Sequence, residues 1–288
     1  MLIRSSRCLL YAFFLIFIGA SCSSDEQIPL DPNREVFWED VAYGEDERQV
    51  MDVLLPANRN RQSTKILIWI HSGGWINGDK REFEAQRDWL KLQLPDYAMI
   101  AFNYRLFDFN TNANRFPTQE NDIREAVDFV LSKSDEWNIS GDMVLAGASS
   151  GGHLALLQAY KHNQAKRIKG AIAYFPPSNL EALFTYNSFT ALGLATILGG
   201  TPDQVPDLYQ RSSPFHFVGS DSPPTLLLHG SEDLVVPVSQ SISLQEKLIQ
   251  EQVMHEAYII EGQGHGFDEE VLIESLDTVI QFIQSNVP

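Results

Sequence analysis

Six short, unbroken apolar runs separated by amphipathic segments constrain this chain more than any other feature. They are Ile66-Leu67-Ile68-Trp69-Ile70, Ala98-Met99-Ile100-Ala101-Phe102, Met143-Val144-Leu145-Ala146, Ala171-Ile172-Ala173-Tyr174, Thr225-Leu226-Leu227-Leu228 and Ala257-Tyr258-Ile259-Ile260. A strand with one face in water alternates polar and apolar residues, so runs without alternation predict strands covered on both faces, as in a parallel sheet between helices. Between the runs, Ile123, Ala126, Val127 and Val130 recur at helical spacing, as do Leu272, Leu276, Val279, Ile280 and Ile283. Strand and helix alternate to the end, which predicts one doubly wound α/β domain with a mostly parallel sheet. Ahead of it, residues 36–43 and 49–55 alternate and predict an antiparallel opening hairpin. Residues 176–219 contain no such run but hold Phe184, Tyr186, Phe189, Leu192 and Leu198, and are expected to form a small cap insertion over the sheet's carboxyl edge.

Charge and cysteine usage remove several function classes. The 21 Lys+Arg against 38 Asp+Glu give a net charge of −17, with no basic cluster to offset it, so nucleic acid is not an expected partner. The two cysteines, Cys8 and Cys22, both lie near the N-terminus. The body of the chain therefore has no thiol for a disulfide, a thiolate metal site or a cysteine nucleophile. No phosphate-binding glycine loop and no histidine pair at metal spacing occurs, so neither cofactor nor metal is expected.

Residues 1–21 place Arg4 and Arg7 before an apolar stretch from Leu9 to Ile18 and then Gly19-Ala20-Ser21. That is the layout of a signal peptide, too short to span a bilayer comfortably as a permanent helix. Gly19-Ala20-Ser21-Cys22 resembles a bacterial lipoprotein signal, although Gly19 stands where a large aliphatic residue is usual. The resemblance implies export, a lipid anchor on Cys22 as the only membrane attachment, and a place in the bacterial envelope. An ordinary signal peptide cleaved near Ser21 is the alternative. Residues 22–34 read as a polar tether and 35–288 as the folded domain.

The chemistry gathers at the ends of the apolar runs. Gly147-Ala148-Ser149-Ser150-Gly151-Gly152 follows one run directly and precedes an apolar helix starting near His153. A sharp strand-to-helix turn forces unusual backbone angles on its central residue and requires small neighbours, so Ser149 is the candidate nucleophile. A serine hydroxyl at neutral pH needs a base, itself held by a third group. In this architecture, acid and histidine are expected in loops after later strands, in that order. Asp233, in His229-Gly230-Ser231-Glu232-Asp233, is the candidate acid, with Glu232 its rival. His265, in Gly262-Gln263-Gly264-His265-Gly266-Phe267, is the candidate base. Attack on a carbonyl also needs fixed N–H donors for the developing oxyanion. His71-Ser72-Gly73-Gly74-Trp75 supplies candidates at Gly73 and Gly74, and the amide of Ser150 is a third. His153 and His229 read as packing residues.

With these motifs, and with Gly78-Asp79-Lys80, Asn103-Tyr104-Arg105-Leu106, Phe116-Pro117 with Asp122, and Pro223-Pro224, the chain from about residue 35 to 285 resembles an α/β-hydrolase of the His-Gly-Gly-Gly esterase/lipase kind. Within it, the sequence is similar to bacterial feruloyl-esterase-like and kynurenine-formamidase-like proteins. Ser72 stands in place of the usual first glycine and Ser150 in place of the usual alanine; both are expected to narrow the reacting space or add a hydroxyl there. The resemblance implies an exported serine hydrolase acting on carboxylic esters through an acyl-enzyme, with short-acyl or carbohydrate-linked (acetyl or feruloyl) esters as substrates. Two other readings remain: a serine peptidase or amidase of the prolyl-oligopeptidase-like kind, and a non-catalytic surface lipoprotein that keeps the fold as a binding module.

Overall fold

The computed structural model describes residues 30–288. The signal-like segment, Cys22 and the first part of the tether lie outside the described residues. Already at Leu30 the chain packs on the core, and the Arg59 guanidinium donates to the Arg34 carbonyl at 2.6 Å and to the Trp137 carbonyl at 2.8 Å. The packed body therefore starts a few residues before position 35.

The two alternating segments form the antiparallel strands β1 (Val36–Ala42) and β2 (Val50–Leu55). The six apolar runs form β3 (Lys65–Ile70), β4 (Tyr97–Phe102), β5 (Met143–Ala148), β6 (Ile168–Tyr174), β7 (Thr225–Gly230) and β8 (His255–Ile260). They build one eight-stranded sheet in the order β1-β2-β4-β3-β5-β6-β7-β8, parallel from β4 to β8 and antiparallel from β1 to β4.

Each inner strand divides its side chains between two cores. On β3, Ile66, Ile68 and Ile70 pack with the cluster beneath α2 (Thr118–Trp137), α3 (Ser150–Lys161) and α7 (Ser239–Gln250). Leu67 and Trp69 pack with the opposite cluster under α1 (Glu84–Gln93) and α8 (Glu269–Asn286). Each fully buried side chain of this size stabilises by about 1.5–3 kcal/mol, so a continuous apolar strand binds both helical layers to itself. The edge strand β8 departs from the expectation of burial on both faces: Tyr258 and Ile259 are 44% and 41% exposed. Apolar composition alone does not distinguish an inner strand from the last one in the sheet.

Between β6 and β7 the chain runs through α4 (Leu180–Phe184), α5 (Ser188–Leu198), α6 (Pro206–Arg211) and a 3-10 turn at Pro214–Phe217. No helix among the described residues is long and apolar enough to cross a membrane.

The strand order positions the site. The chain leaves β3 for β4 on one side and returns to β5 on the other, so the loops after β3 and β5 open side by side at the carboxyl edge. Such a reversal of winding leaves a crevice between the two loops. In this chain those loops carry Ser72–Gly74 and Ser149.

Candidate active site

Ser149 occupies the turn between β5 and α3 with φ 53° and ψ −120°, a conformation sparsely populated by residues with a side chain. Its amide donates to the Tyr174 carbonyl and its carbonyl accepts from His153, which pins the turn on both sides. Gly151 is required by close approach: a Cβ there would lie 2.1 Å from the Ile70 carbonyl oxygen. The small residues flanking the serine thus allow α3 to start directly against the end of β3.

The structure brings together the three side chains that sequence order singled out. His265 Nε2 stands 2.9 Å from Ser149 Oγ, and its Nδ1 donates to Asp233 Oδ2 at 2.7 Å. Asp233 is fully buried, and its other oxygen accepts the amides of Val235 and Val236. Burial alone raises a carboxyl pKa, but donors from His229, His265 and the Val236 amide outweigh it and hold Asp233 well below the usual carboxylate range. Glu232 points to solvent beside it. His229, read as a packing residue, sits against the acid: its Nε2 lies 2.8 Å from the Val236 carbonyl and 3.3 Å from Asp233 Oδ2, and its Nδ1 lies 2.7 Å from Ser241 Oγ.

Gly73 and Gly74 follow β3 with φ of 110° and 61°. The left-handed backbone, open to glycine, lets the loop curl beside Ser149. The amides of Gly73, Gly74 and Ser150 donate to no other group among the described residues. Gly73, Gly74, Ser149 and His265 all line one cavity of about 540 Å³.

Both serine replacements have a definite place, and that of Ser150 differs from the expected one. Ser150 is buried, with its hydroxyl 3.3 Å from Tyr104 Oη, so it faces the core and does not narrow the cavity. Ser72 lines the cavity, but its hydroxyl donates to Glu82 Oε2 at 2.6 Å and its amide to the same oxygen at 3.1 Å. Glu82 Oε1 also accepts Trp69 Nε1 at 3.2 Å. Sequence reasoning missed Glu82, which holds the glycine loop through Ser72. The signal available was the departure itself, since a serine at a glycine position has a hydroxyl that needs a partner. Of the cap residues Phe184, Tyr186 and Phe189, Phe189 alone lines the cavity; Phe184 packs on Tyr209, and Tyr186 is exposed.

Two histidines support the loops from below. His71, at the end of β3, lies 2.7 Å from the Ser72 carbonyl and stacks on Tyr104; burial pushes its pKa down to about 4. His153, on α3, lies 2.7 Å from the Ser212 carbonyl and is likewise pushed by burial down to about 4.

Comparison with known proteins agrees with this architecture. The BD-FAE family model matches residues 51–248, which include the glycine loop, Ser149 and Asp233. Esterase LipC of Mycobacterium tuberculosis is 26% identical over 243 residues, covering 79% of this chain and 59% of that protein. The chain spans about half the length of the curated relatives it matches. Among solved structures, a truncated form of a carbohydrate esterase from gut microbiota superimposes with a TM-score of 0.72 at 22% identity, covering 88% of this chain and 98% of that one. The esterase Est2 of Thermogutta terrifontis gives a TM-score of 0.71 at 19% identity, with 86% and 93% covered. At these identities the structural likeness concerns the fold. Strand order, serine turn and matched residues together make the chain a member of the BD-FAE family, within the α/β-hydrolases of the His-Gly-Gly-Gly esterase/lipase group.

Proposed function

We propose that this chain is an exported serine hydrolase that cleaves carboxylic esters through an acyl-enzyme. The observation that carries the reading is the unbroken line from Ser149 Oγ through His265 to the buried Asp233, opening on a cavity that Gly73 and Gly74 also line. In the first half-reaction His265 Nε2 takes the proton of Ser149 as Oγ bonds to the carbonyl carbon. The carbonyl oxygen becomes an oxyanion facing the amides of Gly73, Gly74 and Ser150. The tetrahedral species collapses as the bond to the alcohol oxygen breaks, and His265 gives that oxygen its proton. Asp233 stays ionised and keeps the imidazole in the tautomer that can accept at Nε2. Water then repeats the sequence on the acyl-enzyme and releases the acid.

Short-acyl or carbohydrate-linked esters are the proposed substrates. Supporting this, Est2 has been solved with propionate and with butyrate bound, and another structural relative is a carbohydrate esterase. A lipid anchor on Cys22 is proposed to hold the domain at the bacterial envelope. The test is hydrolysis of p-nitrophenyl acetate, butyrate and octanoate by the mature protein beside Ser149→Ala. Turnover that favours the short chains and disappears in the variant is the expected result; equal turnover by both proteins contradicts it.

A further inference from the structure

The cavity beside Ser149 has two unlike walls. One is apolar, formed by Phe267, Leu272 and Leu276 around the start of α8. The other is polar, formed by Glu82 and Gln86, which lie one helical turn apart along the 3-10 turn Lys80–Phe83 and α1. The two polar residues are in different states. Glu82 is occupied by the donors of Trp69 and Ser72. The amide oxygen of Gln86 is buried and has no hydrogen-bond partner among the described residues.

A buried amide oxygen without a partner loses its hydration and receives nothing in return. Gln86 lines the cavity, and a turn of its side chain brings this unfilled acceptor to a bound molecule that can fill it. We infer that Gln86 determines specificity by hydrogen-bonding a hydroxyl on the part of the ester that enters between α1 and α8. This inference rests on the esterase reading above. A hydroxyl both donates and accepts, so it pairs with the amide in either of its orientations. The rest of the group is neutral and apolar. Phe267, Leu272 and Leu276 cover its body, and the Glu82 carboxylate repels an anionic group in the same space.

The test uses matched esters that differ by one hydroxyl. For the acyl half these are methyl 3-cyclohexylpropanoate and its 3- and 4-hydroxycyclohexyl analogues; for the alcohol half, cyclohexylmethyl acetate and the corresponding hydroxylated acetates. Each is measured by pH-stat with the wild type, Gln86→Leu and Gln86→Ala, the second variant guarding against a folding defect in the first. On one half of the ester the wild type is expected to favour a hydroxylated member by roughly tenfold in kcat/KM. Both variants are expected to lose that preference while retaining turnover of the unsubstituted ester, and a carboxylate in place of the hydroxyl is expected to lower kcat/KM in the wild type. The inference is overturned if wild type and variants rank every pair alike while all hydrolyse p-nitrophenyl acetate. A wild type that hydrolyses no ester at all removes the esterase reading, and this inference with it.

Discussion

The two sides of the cavity are built by different means. On one side, Ser149, His265 and Asp233 stand in loops directly after β5, β8 and β7, with Gly73 and Gly74 in the loop after β3. Their placement follows from strand order and from backbone turns. On the other side, Glu82, Gln86, Leu272 and Leu276 reach the cavity from helical segments whose positions follow from packing on the sheet. The sheet fixes the proposed reacting groups, while Gln86, Leu272 and Leu276 on the helical wall can vary without disturbing them; Glu82, bound to Ser72, is the exception. Substrate preference is therefore expected to reside on the helical wall and the capacity for chemistry on the strand-loop side.

The largest effect expected is on the strand-loop side. Ser149→Ala and His265→Ala should each lower kcat by roughly 10⁴-fold or more, and the double variant should lose little beyond either single change, because the two residues act as one unit. Steady-state kinetics checks this. Additive losses would mean that the pair does not work together.

Acid should enter on the same side. Unfolded, His71 and His153 each bind a proton near pH 6.5; folded, burial holds each near 4. The unfolded chain binds more protons between those values, so the contribution of both is complete above about pH 6.5 and falls as pH drops toward 4. Each histidine accounts for stability on the order of 3 kcal/mol. Denaturant melts at pH 7.5, 6, 5 and 4.5 should show midpoints falling steadily, and replacing His153 by Gln should flatten the slope. Asp233, whose pKa is depressed, adds its own loss only at lower pH, once the medium falls below the ordinary carboxylate range.

Glu82→Gln joins the two sides. The single amide oxygen can still accept from Ser72, but without a charge, and the amide nitrogen then faces Trp69 Nε1 donor against donor, so the glycine loop is held less firmly. The expected outcome is a kcat about tenfold lower with KM changed much less, from weakening one charge-assisted hydrogen bond by about 1–2 kcal/mol. A change confined to KM would assign Glu82 to substrate binding alone. The smallest effect belongs to the cap. Phe189 is 77% exposed where it meets the cavity, so Phe189→Ala should alter KM for short esters by less than about threefold and leave the melting point unchanged.

The same contrast explains what could be read from the sequence. The strands were legible because burial on two faces leaves unbroken apolar runs, and Ser149, Asp233 and His265 because each follows such a run in a fixed order with glycines alongside. The helical wall was not. Residues 84–93 hold one buried side chain, Leu90, and their other apolar residues, Ala85, Trp89 and Leu92, are half-buried or exposed, so periodicity gave no sign of α1 facing a cavity. Glu82 and Gln86 are ordinary polar residues until packing turns them inward. The direction of the Ser150 hydroxyl was equally hidden, because it depends on Tyr104, 46 positions away in the chain. The exposure of β8 depends on its being last in the sheet, a property of the whole topology rather than of its own residues.

The central claim is that Ser149 is a nucleophile activated by His265. Reaction with a fluorophosphonate followed by intact-mass and peptide mass spectrometry tests it without any assumption about substrate. One adduct per chain on the peptide carrying Ser149, absent from Ser149→Ala and strongly slowed in His265→Ala, is the expected result. No adduct, or an adduct on a different residue at an equal rate in all three proteins, would contradict it.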